Sequence, residues 1–277
     1  MSTIQDAMAA AGLVPAKLLD QHPDGKIHRY RVMGDKSGSL NGWYVLHDGP
    51  TAFGAFGSWK TGESHTWHPA TTKPLSPAEK AAQRRALAVV RQAHAIARKA
   101  VQAAAQTKAD RLWRMARPAT NNHPYLVKKG IDSYGLRRLR DMLLIPARDV
   151  AGTLHTLQFV GLDGGKRFLT GGRIQGCYYA LGRLGDTLLL SEGFATAATL
   201  HQATGHAVAA CFSCGNLLAV ARALRSKFPH LRLIICADDD ARTPGNPGLT
   251  KAREAARAVG AWLAVPVFNL EAQACQN

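Results

Sequence analysis

From residue 187 onward, apolar strands alternate with helices. The segments TLLLS, HAVAACF, LRLIICA and AWLAVPV are continuous apolar runs, and the stretches between them predict helices that end at Gly205, before Pro229 and at Gly260. Strands that are apolar on both sides have to be covered on both sides, and strands joined by helices of this length pair in parallel. Residues 184–277 therefore predict an α/β domain with a Rossmann-like parallel sheet.

Acidic residues follow two of these strands where each strand ends. Glu192 comes directly after TLLLS, and Asp238, Asp239 and Asp240 come directly after LRLIICA. The carboxyl ends of parallel strands meet at one rim of a sheet, so we expect these carboxylates to lie together. Clustered carboxylates repel one another unless a cation is bound, and Mg²⁺ prefers carboxylates, water and phosphates. The pattern predicts a metal site for phosphoryl transfer, with an acidic surface loop as the alternative.

Positive charge is concentrated ahead of this domain. The chain has 35 Lys and Arg against 19 Asp and Glu, and residues 76–117 alone carry 10 basic and 2 acidic side chains. Such a charge indicates a polyanionic partner, because Lys and Arg bind phosphates and release their counterions. The odd cysteine number argues against a disulfide framework, and no apolar run could span a bilayer. We therefore expect a cytoplasmic protein without a membrane partner.

The first part of the chain predicts a small β-unit over 1–75 and a long basic helix over 76–117. Aromatic and β-branched runs alternate with glycine turns, which is typical of an antiparallel sheet. Ser76, Pro77 and Glu79 form a helix start before an alanine-rich stretch. The basic and aromatic side chains of the β-unit either stack on unpaired bases or fill its core. They are Arg29, Tyr30, Arg31, Trp43, Phe53, Phe56, Trp59 and Lys60.

Between these parts, residues 118–183 predict a strand-rich basic module. YLVKKGI predicts a short helix that ends at Gly130, and MLLIPARD, TLHTLQFVG and KRFLTGG predict successive strands separated by glycine turns. The fold class is therefore α/β, with a Rossmann-like sheet preceded by this module, the long helix and the β-unit.

The second half of the chain resembles the DnaG-type primases, which contain a Toprim domain. S-E-G-F at 191–194 and A-D-D-D-A at 237–241 resemble the Glu and DxD motifs of that domain, which topoisomerases and OLD-type nucleases share. HPYLVKKGI, then LLIPARDVAGTLHTLQFVG, then KRFLTGGR with GCYYALG, resemble the motifs that precede Toprim in primases. They occur in the same order.

The resemblance implies a DNA primase that makes short RNA primers on single-stranded DNA during plasmid or phage replication. By position, Glu192, Asp238 and Asp240 match the catalytic, metal-binding acids, and the implied cofactor is Mg²⁺ or Mn²⁺. Implied partners are the template strand and ribonucleoside triphosphates, and a replicative helicase is a further candidate. The basic residues expected to bind nucleic acid or nucleotide are Lys128, Lys129, Arg148, Lys166 and Arg167.

Two departures from the family keep other functions open. Thr196 stands where the family usually has an acid, and we find no counterpart of the zinc-binding domain of DnaG-type primases. A Toprim nuclease is one alternative, and a non-catalytic nucleic-acid-binding protein with a degenerate Toprim site is the other. Thr196 favours the second alternative, whereas the intact Glu192 and the Asp238–Asp240 run favour an enzyme.

Overall fold

The computed structural model describes residues 3–48, 52–61, 63–69, 76–241 and 243–266. The chain forms two compact units, Met1–Ile96 and Ala97–Asn277. No helix within the described residues is both long and apolar enough to cross a membrane.

The first unit contains a helix and an antiparallel sheet. Helix α1 (Ile4–Ala10) is followed by strands β1 (His28–Tyr30), β2 (Gly42–His47), β3 (Phe53–Ser58) and β4 (Ser64–Trp67). Each strand pairs antiparallel with the next one in the chain. The predicted antiparallel β-unit is thus confirmed.

The aromatic residues of this sheet divide between its core and its surface. Tyr30, Phe53 and Phe56 are buried, and Tyr30 and Phe56 pack with residues of α1. Trp43 is half-buried, and Trp59 is 55% exposed, with its ring centroid 5.8 Å from that of Trp43. Three of these five aromatic residues therefore fill the core, and the two tryptophans remain at the surface.

Helix α2 (Pro77–Met115) begins at the predicted proline and crosses the boundary between the units. Its last turns pack on the sheet that follows, because Ala109 and the adjoining Ala116 are buried in one cluster with Leu144 and Leu157. The end of the helix is therefore part of the second unit's core.

Two sheets build the rest of the second unit, and the first contains β5 (Arg117–Pro118), β6 (Arg137–Leu139), β7 (Met142–Arg148), β8 (Leu154–Val160) and β9 (Lys166–Phe168). They pair antiparallel in chain order, and helix α3 (Pro124–Lys129) connects β5 to β6. The predicted strands correspond to β7, β8 and β9. Strands β5 and β6, which are short and rich in arginine, were not predicted from the sequence.

The second sheet is parallel except at one edge. Its elements are β10 (Tyr179–Leu181), β11 (Thr187–Ser191), α4 (Phe194–Thr204), β12 (Ala207–Ala210), α5 (Cys214–Lys227), β13 (Arg232–Cys236), α6 (Pro247–Val259) and β14 (Trp262–Ala264). The strand order is β10-β12-β11-β13-β14, and only β10 runs antiparallel to its neighbour. The predicted parallel α/β sheet is confirmed, and β10 is an addition to it.

Both faces of the parallel sheet are covered, as its apolar strands require. On one face, Leu189 and Val208 share a core with Leu143 and Val160 of the antiparallel sheet. On the other face, Leu190 and Ile235 pack among residues of α5 and α6. The two sheets of the second unit are thus joined by one continuous apolar core.

Candidate active site at the rim of the parallel sheet

Two neighbouring strands carry acidic residues to one rim of the parallel sheet. β11 leads through α4 to β12 on one side, whereas its neighbour β13 leads through α6 to β14 on the other side. The connections after these two strands therefore diverge and open a crevice at their carboxyl ends. β11 and β13 pair with Leu190 opposite Ile235. Glu192 and Asp238 follow directly beyond the ends of these two strands. The structure therefore brings both acids to the same crevice.

The carboxyl groups at this rim interact electrostatically. Burial raises the pKa of Glu192, and the charges of Asp238 and Asp240 raise it further. Burial likewise raises the pKa of Asp238, and Asp240 adds to that shift. The backbone of Cys214, at the start of α5, acts to lower the pKa of Glu192, and Lys166 opposes the upward shift at both carboxyls. Glu192, Asp238 and Asp240 therefore form one coupled group beside a lysine.

The start of α6 holds two of the three consecutive aspartates. The Asn246 side chain donates to Oδ1 of Asp239 at 2.6 Å and accepts from the backbone N–H of Asp240 at 3.0 Å. The backbone N–H of Gly248 donates to Oδ2 of Asp240 at 3.3 Å. Asp239 is thus turned to Asn246, whereas Asp240 lies at the helix N-terminus, where the backbone favours a negative charge.

Gly248 allows α6 to approach the aspartates closely. A Cβ atom on this buried glycine would lie 2.5 Å from the carbonyl oxygen of Asp238 and 3.0 Å from Oδ2 of Asp240. Asn246 and Gly248 were not among the residues predicted from the sequence. The run Asn246-Pro247-Gly248 was the available signal, because Asn followed by Pro marks a helix start.

Of the predicted basic pair on β9, only Lys166 faces the acids. Lys166 pairs with Val160 and Arg167 with Phe159, so the two side chains project from opposite faces of the sheet. Desolvation and the neighbouring Lys129 lower the pKa of Lys166, whereas Asp238 and Glu192 act in the opposite direction. The Arg167 guanidinium instead lies 5.2 Å from the centre of the Phe159 ring.

The other predicted basic residues lie on α3 and in the turn after β7. Lys128 and Lys129 are exposed at the end of α3, and Lys129 is close enough to influence Lys166. Arg148 donates from Nη1 to the carbonyl of Gly152 at 3.0 Å, within the turn after β7, and acts on the pKa of Tyr179. The structure thus brings Lys129 and Lys166 together, whereas the Arg148 guanidinium is bound within its own turn.

Comparison with known proteins identifies the domain that carries the acids. A family model described as the Toprim domain matches residues 187–273, from the start of β11 onward. This chain carries a Toprim domain. Glu192 and the Asp238–Asp240 run, whose motifs resemble those of Toprim domains, lie inside the matched residues.

The relatives of the whole chain are primases. Two proteins of Escherichia coli, both DNA primase TraC, are 40% and 39% identical to this chain and cover 90% and 95% of it. The chain spans only 25% and 19% of their lengths. The primase fragment of the bacteriophage T7 primase-helicase protein is 15% identical, with a TM-score of 0.40 over 52% of this chain and 64% of that one. The predicted resemblance to Toprim primases is confirmed by the family model and the sequence identity.

The Toprim acids offer the ligands that a hard divalent cation requires. Toprim primases generally use divalent metal ions. Among the residues that the structure describes, no three His, Cys, Asp or Glu side chains gather closely enough to enclose an ion. Mg²⁺ does not need such a cage, because it retains waters and binds through one or two carboxylates and substrate phosphates. The open carboxylate rim fits an ion of this kind.

A buried asparagine joins the start of α5 to the segment between β9 and β10. Asn216 of α5 accepts from the backbone N–H of Gly176 at 2.8 Å and donates to the carbonyls of Cys177 and Cys211 at 2.9 and 2.8 Å. These bonds hold the segment before β10 against the start of α5. A single Asn in a helical stretch gave no signal of this role in the sequence.

Proposed function

We propose that this chain is a DNA primase that synthesises short RNA primers on single-stranded DNA. The observation that carries the proposal is the coupled group of Glu192, Asp238, Asp240 and Lys166 at the Toprim crevice, in a chain 40% identical to a DNA primase over 90% of its length. Its substrates are the template strand and ribonucleoside triphosphates. Plasmid or phage replication in the cytoplasm is the proposed setting, and a replicative helicase is a proposed partner.

The residues of the crevice suit the demands of nucleotidyl transfer. The proposed cofactor, Mg²⁺ or Mn²⁺, supplies a Lewis acid that neutralises charge on the triphosphate. Glu192, Asp238 and Asp240 provide the carboxylates for it. The raised pKa values of Glu192 and Asp238 reflect their burial and the repulsion between neighbouring carboxylates, which a cation relieves. Lys166 adds a fixed positive charge beside them, where negative charge spreads over the transferred phosphoryl group.

Substitution of the acids tests the proposal. We expect Glu192→Gln and the double variant Asp238→Asn/Asp240→Asn to abolish primer synthesis on single-stranded DNA with ribonucleotides and Mg²⁺ or Mn²⁺. Asp239→Asn is the matched control, since Asn246 already holds the Asp239 carboxylate and we expect most activity to remain. Melting temperature is recorded in parallel to verify that each variant folds.

The same assay separates the alternatives. Cleavage of the DNA without extension would indicate a Toprim nuclease, and binding without either reaction would indicate a degenerate Toprim site. Primer synthesis at a normal rate by the Asp238→Asn/Asp240→Asn variant would mean that these two acids are not required for the reaction.

A further inference from the structure

Two tryptophans lie side by side on one face of the antiparallel sheet of the first unit. Trp43 of β2 pairs with Gly57 of β3, and Trp59 follows Gly57 by two residues, so both tryptophans project from the same face. Their ring centroids are 5.8 Å apart. Tyr44 and Phe56, which pair one residue further along, project from the other face and pack with residues of α1. The tryptophans therefore lie on the face opposite the core.

Gly57 allows the Trp43 ring to lie against the sheet. A Cβ atom on Gly57 would be 2.9 and 3.0 Å from two carbons of the indole, so this ring covers the glycine. One face of the Trp43 ring is thus turned to the backbone, and the other is turned away from the sheet. Trp59, beside it, is 55% exposed. Single exposed apolar side chains are ordinary, whereas an adjoining pair of this size indicates a binding surface.

Positive charge adjoins the tryptophans. Arg29 of β1 is the Cα partner of Trp43 and projects from the same face. Its Nε donates to the carbonyl of Leu40 at 2.9 Å. Arg29 also lines a surface cavity of about 550 Å³ together with Lys17 and Arg31. The described residues that line this cavity include these three cations and no acid.

The three cations of the cavity are not neutralised by carboxylates. Lys60 has an ion pair with Asp35 at 2.8 Å, but no carboxylate of the described residues lies within ion-pair distance of Lys17, Arg29 or Arg31. Lys and Arg side chains of this kind bind phosphate. Aromatic rings beside phosphate-binding cations match the bases and the backbone of an unpaired strand, whose bases are free to stack. In a duplex, the same bases would be covered by their neighbours.

We propose that Trp43, Trp59, Lys17, Arg29 and Arg31 form a tryptophan site that binds unpaired nucleic acid on the first unit. The two indoles stack on bases, and the three cations bind phosphates of adjoining nucleotides. Every base has an aromatic face, so the site tolerates any sequence. The site rests on the proposed function for the choice of a strand over a free nucleotide. It assigns strand binding to a unit that contains none of the Toprim acids.

The test measures binding without catalysis. The affinity of the full chain for a fluorescent oligothymidylate of 20 nucleotides is measured by anisotropy in EDTA over a series of salt concentrations. We expect Trp59→Leu to weaken binding about tenfold, because Leu remains apolar but has no ring to stack on a base. The slope of log K against log salt should stay unchanged, because stacking releases no counterions.

The cations are expected to give the opposite result. Lys17 and Arg29 are both exposed, and each phosphate contact contributes about 0.7 to the slope for a single strand. Lys17→Gln/Arg29→Gln should therefore reduce the slope by about 1.4. An abasic strand of the same length isolates the two contributions. We expect Trp59→Leu to bind the abasic strand like the wild type, whereas Lys17→Gln/Arg29→Gln should still bind it more weakly.

Trp262 provides a matched control. It is 71% exposed on β14, in the Toprim domain, and Trp262→Leu should bind the oligothymidylate like the wild type. Equal affinities of Trp59→Leu and the wild type, or equal losses in Trp59→Leu and Trp262→Leu, would overturn the site. A loss in Trp59→Leu that persisted with the abasic strand would also overturn it.

Melting temperatures verify that the variants fold, and we expect them to match that of the wild type because the replaced side chains are exposed. A wild-type chain that bound the strand in this way but made no primers would count against the proposed function and leave the tryptophan site intact.

Discussion

Substitution of Gly248 by alanine perturbs the aspartates without removing any of their atoms. Gly248 is the second residue of α6, and its added Cβ would lie 2.5 Å from the carbonyl oxygen of Asp238. Ordinary contact begins at 3.4 Å, so the helix start and the aspartate loop must separate by about 0.9 Å. Because the contacted atom is a backbone carbonyl oxygen, rotation of a side chain cannot relieve the contact.

The expected consequence is a loss of rate. A displacement near 1 Å in a catalytic group costs on the order of 100-fold in turnover. We therefore expect Gly248→Ala to lower primer synthesis about 100-fold, with a stability cost of roughly 1–3 kcal/mol from overpacking. The affinity for single-stranded DNA should barely change, since the basic residues proposed to bind the strand are not displaced.

Gly215 is a matched control for this substitution. It is likewise the second residue of its helix, α5, and it lies at the same rim beside Cys214, but a Cβ on Gly215 would meet nothing within 4 Å. Gly215→Ala should therefore retain full activity. The assay compares initial rates of primer synthesis, DNA affinity and melting temperature for both variants. A rate for Gly248→Ala within about threefold of the Gly215→Ala rate would refute the argument that this contact positions the acids.

Two further predictions concern the charges at the rim. Lys166→Ala should lower the rate of primer synthesis about tenfold or more, equivalent to ~1.4 kcal/mol of transition-state stabilisation. Arg167→Ala should have a much smaller effect, because the Arg167 guanidinium stacks on Phe159 on the other face of the sheet. Equal effects of the two substitutions would contradict the conclusion that only Lys166 faces the acids. Because burial and Asp240 raise the pKa of Asp238, the metal-free protein should lose stability as pH rises from the ordinary carboxyl range through that raised pKa. Asp238→Asn should weaken this dependence, leaving the part that the raised pKa of Glu192 contributes, and should raise the melting temperature in EDTA at neutral pH. A variant whose melting temperature followed that of the wild type at every pH would disprove the prediction.

Much of the Toprim domain was predictable from local sequence patterns. Apolar runs of strand length, glycine helix ends and acids placed directly after strands are local features, and the structure has the corresponding strands and helices. Glu192 and Asp238 lie at one rim because parallel strands have to bring their carboxyl ends together. The resemblance to primases added the order of the motifs, and the family model and relatives agree with it.

The end of α2 and the first strands of the next sheet were harder to predict. Residues 76–117 carry the composition of a solvated basic helix, yet Ala109 and Ala116 are buried against the sheet of the second unit. Small residues in an alanine-rich helix do not reveal which turn is covered. β5 and β6 are short and charged, so their pairing depends on the strands beside them and not on a pattern of their own.

The sequence by itself determined that Lys166 and Arg167 face opposite ways and that the acids follow two strands. Only the tertiary structure decided which of the two side chains meets the acids. Alternation along a strand is a local property of the backbone, whereas register across five strands depends on how each one packs on its neighbours. The close approach of Gly248 to Asp238 was also decided by the tertiary structure, because it depends on where α6 packs against the sheet.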